Sequence, residues 1–218
     1  MEKKEGAIPN ATAKRIPLYY RYLKMLEESG VSRIKSKEFS KLIQVPSATI
    51  RRDFSHFGEL GRSGYGYDVG YLLEVFSEIL NTKVEKRIAL VGVGNLGRAL
   101  AHYNFKKNEN LNIVSAFDND PNVVGTKIND VMIQSMESLE AIIKKEAITT
   151  AILTVPSLNS QEVVDKVVAA GVTAILNFAP GRIKVPDHVK VQYIDLTTEL
   201  QTLIYLDENF SNAKHMVG

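Results

Sequence analysis

Three glycines and a carboxylate carry the first chemistry this sequence can do. Gly92-Val93-Gly94-Asn95-Leu96-Gly97 has G-x-G-x-x-G spacing, follows the apolar run Arg87–Val91 and opens a helical pattern. In such a turn Gly92 permits the tight bend, Gly94 lets the backbone approach a pyrophosphate, and Gly97 lets the helix pack against the sheet. The amides from Val93 to Leu96 would then face the phosphates at the positive end of the helix dipole. The alternative is a strand-to-helix turn that holds no ligand.

Asp118 ends the next apolar run, Ile113–Phe117. A carboxylate there accepts from both hydroxyls of an adenosine ribose and repels a 2′-phosphate, and Asn119 follows it where an arginine would welcome that phosphate. The pattern favours NAD(H) as a bound cofactor. The separation exceeds the usual spacing of about twenty residues, which a loop at Asn108–Asn110 would absorb. Thr154-Val155-Pro156 and Asn177-Phe178-Ala179-Pro180 leave the ends of two later runs, where open α/β sheets bind ligands. Ordinary strand-end turns account for them equally well.

A second chemistry lies upstream. Between Ser47 and His56 the apolar Ile50 and Phe54 share one helical face with Phe57, leaving Ala48, Thr49, Arg51, Arg52, Ser55 and His56 outward. Small residues near the start admit a helix to the major groove, and arginines make bidentate bonds to guanine or contact phosphate. Lys35, Lys37 and Lys41 on the preceding helix would grip the DNA backbone. Arg62, at a hairpin tip, would reach the minor groove. Asp53 is assigned to holding an arginine or a packing contact. A small helical bundle that binds protein is the competing reading.

These groups need elements to position them. Leu18, Tyr22, Met25 and Leu26 share a helical face that Gly30 stops; Ser36 is read as the N-cap of a second helix containing Glu38, Phe39, Leu42 and Ile43. Gln44-Val45-Pro46 turns, Ser47 caps the third helix, and Gly58 ends it. Gly61, Gly64 and Gly66 with Tyr65, Tyr67 and Val69 predict a hairpin, followed by a helix over Tyr71–Leu80. After Asn81, strands at Arg87–Val91, Ile113–Phe117, Thr149–Thr154, Thr173–Phe178 and Val189–Ile194 alternate with helices at Leu96–Phe105, Met136–Lys145 and Ser160–Ala170. The class is α/β: a winged helix-turn-helix over 1–80, a Rossmann-like doubly wound parallel sheet over 81–195, and a C-terminal helix and tail over 196–218.

Charge divides along the same line. Residues 1–68 hold 13 Lys and Arg against 8 Asp and Glu, whereas the remainder holds 14 against 17, so a basic front half suits a polyanion. With no cysteine, disulfides and thiolate metal sites are excluded, and any redox response must come through a bound molecule. Neither a leader pattern nor a long apolar run is present, predicting a cytoplasmic protein without membrane contact. Catalysis needs an acid or base near the cofactor. Of His56, His102, His188 and His215, only His102 falls on a helix near the glycine turn, and it has no evident carboxylate partner. No catalytic residue is assigned.

Taken in order, these motifs resemble the Rex family of redox-sensing repressors over almost the whole chain. The most specific stretch runs from Ser47 to Tyr67, with Ile50-Arg51-Arg52-Asp53-Phe54-Ser55, Phe57-Gly58 and Gly64-Tyr65-Gly66-Tyr67. The resemblance implies a homodimer on a double-stranded operator with two-fold character, released by NADH while NAD⁺ competes with it. It assigns Arg51, Arg52 and Ser55 to the recognition helix, and Gly92–Gly97 with Asp118 to the cofactor. It also assigns Arg21, Tyr103 and Asp195 to a cluster linking the DNA-binding half to the nicotinamide pocket. Read from the residues alone, those three are unrelated: a solvated arginine, a tyrosine packed on the sheet and a helix cap. Leu196–Tyr205 looks like a terminal helix exchanged between subunits. One departure is Ser63, where the family often carries a basic residue before the wing glycine. An NAD-dependent oxidoreductase with an N-terminal helical extension is the alternative, and a nucleotide- or CoA-binding regulator a third reading.

Overall fold

The structure, a computed structural model, describes residues 8–62, 65–103 and 110–211. Contacts divide it into two compact units, Met1–Val84 and Glu85–Gly218.

The smaller unit runs α1 (Asn10–Ala13), α2 (Ile16–Glu28), β1 (Arg33–Ile34), α3 (Ser36–Ile43), α4 (Ser47–Ser55), β2 (Gly61–Arg62), β3 (Gly66–Asp68) and α5 (Val69–Leu80). Its strands form an antiparallel sheet in the order β1-β3-β2. Aromatic rings fill the core: Phe54 of α4 lies 5.3 Å from Tyr19, 5.4 Å from Phe76 and 4.9 Å from Tyr67 between centroids. Such contacts fix ring orientation as well as burying area, so α4 is held on one face and free on the other.

Several local expectations change. The face of α2 that is buried is Ile16, Tyr19, Tyr20 and Leu23, with Met25 50% exposed; Leu18, Tyr22 and Leu26 pack at its edge. Ser36 and Ser47 are first helical residues and not caps. Lys35 and Pro46 precede them, and the Glu38 carboxylate accepts from Lys35 N at 3.0 Å. Val69 starts α5 and not a hairpin strand, because Asp68 accepts from Tyr71 N at 2.9 Å and caps that helix. The predicted fraying over Met1–Asn10 lies largely outside the described residues, as do the wing tip at Ser63 and Gly64, Phe105, and Asn108 of the predicted loop.

The larger unit runs β4 (Lys86–Val91), α6 (Asn95–His102), β5 (Leu111–Asp118), β6 (Lys127–Ile128), β7 (Val131–Ser135), α7 (Leu139–Lys145), β8 (Thr150–Leu153), a 3₁₀ turn (Ser157–Asn159), α8 (Ser160–Ala169), β9 (Ala174–Asn177), β10 (Lys190–Tyr193) and α9 (Leu196–Ser211). The sheet order is β10-β9-β8-β4-β5-β7-β6, parallel except where β6 pairs with β7. This is the doubly wound order with its switch point beside β4, where the crevice for a ligand opens at the carboxyl ends. The hairpin β6–β7 was not read from the sequence, and α7 starts three residues after Met136. Register slips between Ile88 and Ala89, so β5 carries one extra residue, Val114. That residue contributes to the long separation between the glycine turn and Asp118.

One buried charge ties the smaller unit together. Asp53 is 1% exposed, and its carboxylate accepts from Thr12 Oγ1 at 2.8 Å, Arg15 Nε at 2.6 Å, Arg15 Nη2 at 2.8 Å and Tyr19 Oη at 2.5 Å. The sequence assignment of Asp53 to holding an arginine is met by Arg15. Burial alone would raise the Asp53 pKa, but bonds from Arg15, Tyr19 and Thr12 outweigh it and hold the carboxyl below its usual 3.8. A group with a depressed folded pKa gives stability that is present above the unfolded pKa and lost as pH falls through the folded one. Asp53→Asn is therefore expected to destabilise the unit at pH 7 by about 2–4 kcal/mol, since it leaves buried Tyr19 and Arg15 poorly matched. Chemical denaturation from pH 7 down to pH 2 checks this: wild type should lose its advantage below about pH 4, and the variant should show a flatter profile.

Candidate functional site

The glycine turn is built from backbone contacts that exclude side chains. Gly92 has φ +92°, and a Cβ on it would meet the Thr154 backbone at 3.0 Å. On Gly97 a Cβ would lie 2.1 Å from the Gly92 carbonyl oxygen, so α6 approaches the end of β4 as only glycine allows. Gly94 differs: nothing lies within 4 Å of its Cβ position, at the N-cap of α6. Open space beside first-turn amides fits an anionic ligand. Asn95 is exposed at the start of α6.

Several expected cofactor contacts also make structural bonds. The Val93 side chain is buried and its amide donates to Asp118 Oδ2 at 2.6 Å, while Asp120 N donates to Oδ1 at 2.9 Å. Asp118 thus braces the turn as well as facing the cleft beside it. Thr154 Oγ1 donates to the Gly92 carbonyl at 2.6 Å, clamping β8 to the turn. Asn177 is 1% exposed, and its amide both donates to and accepts from the backbone of Ala179 at 3.1 Å, so its side chain shapes the turn after β9.

Two clefts flank the glycine turn. One, of about 300 Å³, is lined by Gly92, Asp118, Met136, Val155, Pro156 and Lys166. The other, of about 390 Å³, is lined by Leu96, Phe178, Arg182, Tyr193 and Asp195, among others. The sequence reading missed Met136, Lys166, Arg182 and Tyr193. Their only signal was position: Met136 follows β7, Lys166 lies on the helix after β8, Arg182 is in the segment after β9, and Tyr193 ends β10. Lys166 pairs with Glu162 at 2.7 Å.

On α4 the exposed residues are Ala48, Arg51, Arg52 and Ser55, with His56 at its end; Ser47 and Thr49 are half-buried. Ser55 Oγ donates to Arg52 O at 2.7 Å, and Arg51 Nη1 donates to Ser36 Oγ at 3.3 Å. Lys35, Lys37 and Lys41 are exposed at and along α3. Arg62 pairs with Gly66 through its backbone.

Arg21 is exposed on α2. Tyr103 is 60% exposed and follows the last residue of α6, His102. An eight-residue helix spans about 12 Å, so Tyr103 and His102 sit at the end of α6 remote from the glycine turn, lining another cleft with Asn112 and Asn129. Asp195 accepts from Thr197 N at 3.0 Å, Thr198 N at 3.2 Å and Thr198 Oγ1 at 2.8 Å, which holds its carboxyl below the usual range. It caps α9. That helix exposes Leu196, Leu200, Leu203, Ile204 and Leu206.

The glycines separate packing from ligand contact. Gly97→Ala is expected to lower stability by about 1–3 kcal/mol through overpacking. Gly94→Ala should melt like wild type yet weaken NADH binding, because its methyl enters the open space. Thermal melts with a parallel NADH titration check both; equal melting of the two variants would contradict the assignment.

Residues 83–181 match the family model described as "CoA binding domain", and residues 7–55 match "Putative DNA-binding protein N-terminus". The redox-sensing transcriptional repressor Rex 2 of Enterococcus faecalis is 68% identical over 98% of both chains. The redox-sensing transcriptional repressor Rex of Latilactobacillus sakei is 53% identical over 92% of this chain and 97% of that one. Among solved structures, RSP, a Rex-family repressor, in complex with β-NAD⁺ and operator DNA is 36% identical, with a TM-score of 0.87 over 98% of this chain and 100% of that one. The RSP complex with β-NADH is 35% identical, with a TM-score of 0.84 over 96% and 99%. Identity of this extent along the full chain, on the same two-unit architecture, shows that the chain belongs to the Rex family of redox-sensing transcriptional repressors.

Proposed function

We propose that this chain is a homodimeric repressor that binds a two-fold operator and releases it when NADH occupies the larger unit. The observation that carries the reading is the pair of clefts astride a glycine turn whose Gly94 leaves space for a pyrophosphate. Asp118 takes the adenosine ribose on one side, with Val155 and Pro156 against the base. The nicotinamide lies on the other, near Leu96 and Phe178. Bound there, NAD(H) supplies no reaction; its redox state is the signal, and the relatives are named repressors, not enzymes.

Residues 1–80 read DNA, with Arg51 and Arg52 at the bases or phosphates and Ser47, Thr49, Ser55 and His56 beside them. Lys35 and Lys37 hold the backbone and Arg62 reaches the minor groove. The exposed leucines of α9 pack against a second copy, so that 196–218 dimerise and 81–195 hold the cofactor. No helix of the described residues is long and apolar enough to cross a membrane. We place the protein in the cytoplasm, with its operator and its NADH pool.

Arg21, Tyr103 and Asp195 form the switch. Tyr103 is remote from its own glycine turn and serves the nicotinamide of the partner subunit. In this reading the charges of Arg21 and Asp195 favour the DNA-competent state.

The family model covering residues 83–181 favours a CoA-type ligand as the second reading. The ribose of CoA carries a 3′-phosphate, which Asp118 would repel. NADH, NAD⁺, NADPH and CoA titrated separately into the protein decide between them: NADH should bind tightest, and tighter CoA binding would favour the second reading.

Three sets of variants test the roles. Arg51→Ala and Arg52→Ala should each cost about 1–3 kcal/mol of operator binding while retaining NADH; unchanged affinity in both would remove α4 from the groove. Asp118→Ala should weaken NADH and narrow its margin over NADPH. Asparagine caps helices as well as aspartate does, so Asp195→Asn keeps the α9 cap and removes only the charge. The NADH-induced loss of operator affinity at fixed salt should be smaller in that variant, whereas a loss equal to wild type would leave Asp195 as a cap alone.

A further inference from the structure

The cleft at the ends of β9 and β10 holds a cation that the proposed function does not use. Arg182 follows Gly181, and its guanidinium carbon lies 5.6 Å from the Tyr193 ring centroid. The ring is a fixed platform: Tyr193 Oη accepts from Ile183 N at 3.2 Å and donates to Ile183 O at 3.3 Å. A guanidinium over an aromatic face is favourably placed, so Arg182 is carried on the wall of the cleft it shares with Leu96 and Phe178. The other charged residue lining that cleft is Asp195, whose carboxylate is bonded to the first residues of α9.

We propose that Arg182, held over Tyr193, sets the preference of this cleft for the reduced over the oxidised nicotinamide. The inference rests on the reading above, which places the nicotinamide end here. NAD⁺ carries a formal positive charge on its ring and NADH does not. A guanidinium nearby therefore costs the oxidised form binding energy and leaves the neutral ring almost untouched. For two unit charges about 4 Å apart in water the repulsion is about 1 kcal/mol, or about fivefold in affinity, and salt screens it. A phosphate contact by the same arginine would behave differently, because both nucleotides carry the same pyrophosphate and would weaken together. Arg182 is exposed, so replacing it leaves the buried core intact.

The test is calorimetric titration of NADH and of NAD⁺ into the full-length wild type, Arg182→Gln and Arg182→Lys, at low and at physiological salt. Arg182→Gln is expected to bind NAD⁺ about fivefold more tightly with NADH changed by less than about twofold. Arg182→Lys should keep the wild-type ratio, and the difference should shrink as salt rises. An unchanged NAD⁺-to-NADH ratio in Arg182→Gln, or an equal loss for both nucleotides, overturns the role of Arg182. Wild type that binds neither nucleotide overturns the cofactor reading itself, and this inference with it.

Discussion

The close approach of Gly97 to the Gly92 carbonyl governs the larger unit. It draws the start of α6 onto the end of β4, and three further bonds hold that geometry. Gly92 N donates to Phe117 O at 2.8 Å, Val93 N to the Asp118 carboxylate at 2.6 Å, and Thr154 Oγ1 to Gly92 O at 2.6 Å. Strands β4, β5 and β8 thus meet in one knot, and the two clefts open on either side of it. A turn so braced is organised before any ligand arrives, which reduces the ordering cost of binding.

The smaller unit solves the same problem with one charge. Asp53, Ile50 and Phe54 lie on the buried face of α4, and fixing that face fixes which way Arg51 and Arg52 point. A buried carboxylate is costly unless fully hydrogen-bonded, and four donors, from Thr12 of α1, Tyr19 of α2 and Arg15 between the two helices, satisfy this one. The orientation of the exposed face of α4 therefore depends on residues some forty positions earlier in the chain, through contacts that require the fold to be formed.

The elements most legible in the sequence were those set by local pattern. G-x-G-x-x-G after an apolar run placed the turn, and alternating runs placed five strands of the parallel sheet to within two residues at each end. Strands of two residues, such as β1 and β6, have no periodicity to read. The face of α2 was misplaced because Tyr19 looks less apolar than Met25; burial of its hydroxyl depends on Asp53, 34 residues away. Ser36 and Ser47 had the right chemistry for caps, but Pro46 already occupies the N-cap position of α4 and Glu38 already satisfies Lys35 N. Thr154 and Asn177 were read as ligand contacts because their positions at strand ends suit ligands. That the same side chains bond to Gly92 and Ala179 and close turns depends on distances that sequence spacing does not encode. Arg182 escaped notice since nothing local distinguishes it from a solvated arginine.

Two binding surfaces become a switch only if each ligand's affinity depends on the other, and that dependence must be reciprocal. The most direct measurement is NADH affinity for the free protein and for the protein saturated with operator, at one fixed salt concentration. Linkage predicts that operator weakens NADH binding by the same factor by which NADH weakens operator binding, on the order of 5–150-fold for typical coupling. NADH affinity that is unchanged by saturating operator would contradict a repressor released by NADH.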